Sequence, residues 1–186
     1  MSKTFSPITN GFSDPPEPYP LGWPIQDHIE VDTIPKKLAN QVHMAHHSYV
    51  HEPKHNAVYN HGVFLDNELV GAISYGYLLA SEPIHGYESD EYIEVSRVTI
   101  ANDTPNLASC SMAQSQQEFI EEYAKNNDIG LLVTYVHEDW EGSMFKALRG
   151  LGWEHDGHIA EGHQAGNRRE REIREYDKKR WVCELA

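Results

Sequence analysis

From residue 33 onward the apolar side chains recur with readable periods. Thr33 can cap a helix, Pro35 suits its first turn, and Leu38, Val42 and Ala45 follow at helical spacing, so a helix is predicted to about His47. His61–Phe64 and Glu68–Tyr75 are apolar runs on either side of Asp66-Asn67, the pattern of a β-hairpin. Gly71 and Gly76 lie within or beside its second strand, as bulges or close backbone approaches require. The run YIEVSRVTI, residues 92–100, alternates as a strand does; a regular pleat puts Glu94 and Ser96 on one face and Arg97 on the other. A helix from about Ser109 to Ala124 follows, then a wholly apolar strand, Ile129–Val136, of the kind buried inside a sheet. A helix from Ser143 to Leu151 stops at Gly152, and Trp153–Ile159 can pair with Arg180–Leu185 as a last hairpin. The fold class predicted is α/β (α+β), a mixed central sheet flanked by helices.

Upstream the pattern changes. Residues 1–31 hold six prolines (Pro7, Pro15, Pro16, Pro18, Pro20, Pro24), a density that blocks regular structure, so they read as an extended arm ahead of a domain over 32–186. With 39% apolar and 10% aromatic residues, the chain can bury one sizeable core. No run approaches the roughly 20 apolar residues that span a bilayer, and the start lacks a signal-peptide core. Cys110 and Cys183 form no disulfide framework or zinc spacing, so a cytoplasmic setting is expected.

Charge narrows the partners. Fifteen basic against 29 acidic residues leave a formal net charge of -14, which repels nucleic acid at long range unless a local basic face overrides it. One segment runs the other way. Arg168, Arg169, Arg171, Arg174, Lys178, Lys179 and Arg180 stand against Glu170, Glu172, Glu175 and Asp177, seven minus four, or a local +3. It reads either as a solvated, salt-bridged helix or as a phosphate-facing patch through which DNA could be held.

Twelve histidines occur, four of them within 43–51. His43, His47 and His51 are spaced by four, which a continuing helix would stack on one face, with His46 about 100° away. They could be polar groups at a helix end, a general base for an amine, or a divalent-metal face, although no HExxH or local carboxylate completes a ligand set. Arg97 and Glu94, charged in a central strand, must be paired with each other or turned to a cavity. Cys110 at a helix N-terminus would have a lowered pKa and be nucleophilic, or else be a small buried residue. Tyr135 and His137 close their strand where either could exchange a proton, and Trp140 and Phe145 read as hydrophobic walls.

Three blocks carry a family resemblance: HMAHHSYVHEP with FLDNELVGAISYG, then EVSRVTIANDTPNLASCSMAQSQQEFI, then LLVTYVHEDWEGSMFKALRGLGW. Over roughly 35–155 they resemble Mom-like proteins, a branch of the GNAT acyltransferase superfamily. The resemblance implies acetyl-CoA or a related acyl-CoA as cofactor, with its pyrophosphate on the strand-loop-helix containing Val98, Ile100, Asn106, Ser109, Cys110 and Ser111. It also implies transfer to an amine, with adenine in DNA as the first acceptor and His47, His51, Arg97, Tyr135 and His137 as catalytic candidates. The common GNAT loop Gln/Arg-x-x-Gly-x-Gly/Ala is absent, and where Mom-like enzymes carry Asp and a helix Tyr this chain has His137 and Phe145. An acetyltransferase for a small alkylamine or protein amine, and a non-catalytic GNAT-fold binding protein, are the alternatives.

Overall fold

The computed structural model describes residues 24–47, 52–78, 83–137, 143–159 and 178–185. Seven strands form one sheet: β1 (Ile29–Thr33), β2 (Ala57–Leu65), β3 (Glu68–Gly76), β4 (Tyr92–Ile100), β5 (Leu131–His137), β6 (Trp153–Ile159) and β7 (Lys178–Glu184). The helices are α1 (Lys36–His46), α2 (Leu107–Glu122) and α3 (Ser143–Ala147). The sheet order is β1-β2-β3-β4-β5-β7-β6, antiparallel except for β4 against β5. Among the described residues no helix is long and apolar enough to cross a membrane.

The hairpins form as the periodicity predicts, with Asp66 and Asn67 both at positive φ in the β2–β3 turn. β1 was not legible: Ile29 and Val31 are buried while Glu30 and Thr33 are exposed, an alternation too short to stand out after the prolines. Thr33 therefore ends a strand, and Pro35 takes the N-cap of α1.

Helices cover both faces. On the first face α1 lays Ala39 and Val42 against Phe64 and Ala72, and burying a side chain such as Val42 contributes about 1.5–3 kcal/mol. On the second face α2 stacks Phe119 on Tyr75, ring centroids 4.2 Å apart, and Gln116 accepts the Trp153 indole N–H at 2.7 Å. Beside α2, Phe145 packs on Trp153 and Trp181, the wall expected of it; Trp140 lies outside the described residues.

Gly71 marks a close approach rather than a turn. A Cβ there would meet the Thr99 carbonyl oxygen of β4 at 2.5 Å. Gly71→Ala should push β3 off β4 and cost about 1–3 kcal/mol, read as a lower urea midpoint with unchanged slope.

Candidate active site

β4 and β5 are neighbours only over Tyr92–Glu94 and Leu131–Val133. Beyond that the strands diverge: β4 continues to Ile100 against β3 alone, and β5 to His137 against β7 alone. The result is a fork in the middle of the sheet. At its apex the Thr134 hydroxyl donates to the Val95 carbonyl at 2.8 Å. Beyond the apex, the β4 edge that faces β5 is paired with no strand among the described residues.

The chain leaves β4 on the open side and enters α2 there. Asn102 accepts the Thr104 backbone N–H at 2.9 Å, the Leu107 N–H reaches the Thr104 carbonyl, and Asn106 caps the helix in the left-handed conformation, φ 65°. The first intrahelical donor at this end is Cys110, onto Asn106. Among the described residues the Ala108 and Ser109 N–H groups have no backbone partner, so they could hold an anion at the positive end of a 16-residue helix. Ser109 is half-exposed, with its hydroxyl on the Asn106 carbonyl at 3.1 Å. Ser111 is fully buried on the inner side, and Val98 and Ile100 line the core beneath the fork. Such small side chains and unpaired donors fit a pyrophosphate without the usual glycines. For Cys110 the alternative of a small buried residue is favoured: partial burial pushes its thiol up, which argues against an activated nucleophile.

Arg97 also departs from the regular pleat. Tyr75 pairs with Val95 and Ser74 with Arg97, so Ser96 is an extra, bulged residue, and Glu94 and Arg97 share the first face. Arg97 is 9% exposed and donates to the Glu52 carbonyl, while Glu94 pairs with Lys54 at 3.2 Å.

Beside them, His43 is fully buried, one ring nitrogen 2.7 Å from Thr99 Oγ1 and the other 2.8 Å from Ser74 Oγ. Ser74 donates onward to Asn60 at 2.7 Å, so its oxygen accepts from His43 Nε2–H, and Thr99 donates to Nδ1. Burial, then the Arg97 charge, lower His43 to about 3. It is a neutral core residue.

His47 ends α1 just behind it, 8% exposed and edge-on to His43. The divalent-metal reading of His43, His47 and His51 finds no support among the described residues. Both nitrogens of His43 are spent within the core, and no three His, Cys, Asp or Glu among the described residues are grouped to hold a metal. His51 lies outside the described residues.

Across the fork, Tyr135 stands half-buried on the first face of β5, and burial raises its phenol to about 12. Lys178 lies over its ring, 5.7 Å from the centroid, and His137 is register partner of Lys178. Lys178, Lys179 and Arg180 thus bring the end of the basic run to this wall; residues 168–177 fall outside the described residues. One group was missed from the sequence: Asp156, which accepts from Arg180 Nε at 2.5 Å and contacts His85 Nε2 at 2.7 Å. Its partners lie 24 and 71 residues away, beyond any local pattern.

Residues 28–149 match the model of the Mom protein family. Among solved structures the fold is similar to the Bacillus subtilis acetyltransferase in complex with CoA, at 12% identity and TM-score 0.53, covering 86% of this chain and 99% of that one. It is also similar to the IAA acetyltransferase from Bacillus cereus, at 13% identity and TM-score 0.52, covering 84% and 99%. A third is the ribosomal-protein-S18-alanine N-acetyltransferase from Escherichia coli, at 7% identity and TM-score 0.52, covering 85% and 94%. The architecture is therefore that of the GNAT acetyltransferases. No curated protein matches the sequence.

Proposed function

This chain belongs to the Mom protein family, and from that premise we propose that it transfers an acyl-type group from acetyl-CoA or a related acyl-CoA to the exocyclic amine of adenine in DNA. The observation that carries the reading is the β4–β5 fork with unpaired α2 N–H groups at its mouth. A bound acyl-CoA supplies an activated thioester carbonyl. Ala108 and Ser109 would hold the pyrophosphate through backbone N–H groups, and the β4 edge beyond Val95 would supply backbone donors to the carbonyl oxygen.

The acceptor approaches from the first face. Lys54, Arg97, Lys178 and Arg180 stand there against Glu94 and Asp156, a cationic surround in a chain of net charge -14. That balance suits a polyanionic acceptor and opposes a cationic alkylamine. We assign the amine proton to His47 or His137, with His51 a further candidate. An adenine amine must leave the base stack to enter such a fork.

Two measurements test the reading. Calorimetry with acetyl-CoA should give a saturable heat; folded protein that binds no acyl-CoA rejects the cofactor assignment. Mass spectrometry of nucleosides from cells producing the chain should show adenosine of added mass. Unmodified nucleosides, with acetylated polyamine or lysine instead, would move the acceptor to an alkylamine.

A further inference from the structure

Three irregularities converge at the β5 side of the fork. β6 carries a bulge between His155 and His158, with Gly157 at φ 108°, so Asp156 and Gly157 together oppose Arg180. His155 pairs with Trp181 on the second face, so Asp156 points to the first face, where it reaches Arg180, which stands directly opposite Tyr135. Separately, the turn between Ile84 and Tyr87 holds His85 in the left-handed region, φ 54°, where Asn or Gly is the ordinary choice. His85 meets Asp156 there, tying the β3–β4 connection to the last hairpin. One carboxylate, 17% exposed, holds a cation on one oxygen and an imidazole on the other.

We propose that Asp156 is a positioning residue for the acceptor side of the fork, fixing Arg180 against the Tyr135 hydroxyl and His85 at the rim. The proposal rests on the transferase reading only for its effect on turnover. Asp156 does not touch the reacting atoms; it acts through Arg180. Burial raises the Tyr135 phenol to about 12 and keeps it protonated, while the Arg180 charge and hydrogen bond pull the other way, so Arg180 is the neighbour that tunes and orients this hydroxyl. A carboxylate that releases Arg180 would leave Tyr135 without that neighbour and the rim turn without its anchor.

The test is a double-mutant cycle with Asp156→Asn and Arg180→Met, read with an adenine-containing single-stranded oligonucleotide and acetyl-CoA. Asp156→Asn should lower kcat about 10–100-fold, as losing an orienting partner does, with KM for acetyl-CoA unchanged. It should add nothing in the Arg180→Met background. Without any acceptor, Tyr135 ring resonances, assigned with Tyr135→Phe, should move alike in Asp156→Asn and Arg180→Met. His85→Asn keeps the left-handed turn and serves if the β6 variants unfold; it should move the same resonances in the same direction, less far. Unmoved Tyr135 resonances in folded variants, or additive losses of kcat, overturn the proposal. Moved resonances in a protein inactive on the oligonucleotide support the positioning role and reject the acceptor instead.

Discussion

On acidification the protein should unfold cooperatively, with its midpoint set by two buried histidines. His43 and His61 are both fully buried, and burial lowers them from 6.5 to about 3 and about 4. The Arg97 charge adds to the lowering at His43, while Glu122 works the other way at His61. In the unfolded chain both take a proton near pH 6.5, so the unfolded state binds more protons throughout the interval. Stability is therefore fully present above pH 6.5 and falls as pH drops toward 4 for His61 and toward 3 for His43. At about 1.4 kcal/mol per pKa unit, the two groups remove about 5 and about 3 kcal/mol, comparable with the whole stability of a domain. His43→Gln keeps a donor and an acceptor for Ser74 and Thr99 but cannot titrate, so its acid midpoint should move down. Tryptophan fluorescence against pH reads it directly. An unchanged midpoint in both His43→Gln and His61→Gln would mean that other groups govern acid unfolding.

Glu118 works in the opposite sense. Burial, then Glu122, Asp32, Glu30 and Glu121, raise its carboxyl from 4.5 to about 7. A raised carboxyl contributes stability below 4.5 that is lost as pH rises through 7. Its 3.6 Å approach to His61 Nε2 is too long for a hydrogen bond, and with the imidazole neutral it is not an ion pair either. Glu118→Gln should therefore raise the melting temperature at pH 8 and leave it almost unchanged at pH 5. Equal shifts at both pH values would show that the carboxylate crowding is not felt.

The sequence made the sheet legible wherever burial imposes a period, as in YIEVSRVTI and the apolar run of β5. What it hid was local exceptions to that period. The Ser96 bulge reverses which face Arg97 takes relative to Glu94, and a one-residue insertion leaves no trace in an alternation of polar and apolar positions. His43 illustrates the limit of helical spacing. Its four-residue step from His47 is real, but only the tertiary contacts with Thr99 and Ser74 reveal a satisfied core group. Asp156 was invisible because its meaning comes from His85 and Arg180, joined by the sheet rather than by sequence. The strand-loop-helix of β4 and α2, by contrast, was legible to within two residues of the helix start, since it depends on contiguous residues.

Arg97→Met should abolish most turnover while sparing the fold. The guanidinium sits just past the fork apex on the first face, anchored to the Glu52 carbonyl and only 9% exposed. Holding a cation that deeply costs several kcal/mol of desolvation, which a packed apolar side chain would avoid. Met fills much of the same volume without that cost, so the variant should melt no lower than the parent. Under the proposed chemistry, Arg97 steadies negative charge near the reacting carbonyl or on the acceptor, and its loss should lower kcat/KM about 10²–10³-fold. Affinity for acetyl-CoA, measured by calorimetry, should stay within about threefold, because the proposed pyrophosphate site is at α2, away from Arg97. A second signature needs no substrate. Arg97 lowers His43, so its removal should let His43 titrate higher in the folded protein and make Arg97→Met more resistant to acid than the parent. Arg97→Lys should keep much of that charge effect while losing the planar fork, and so separate charge from geometry. Full activity in Arg97→Met together with increased acid resistance would leave Arg97 a charged neighbour of His43 with no part in transfer.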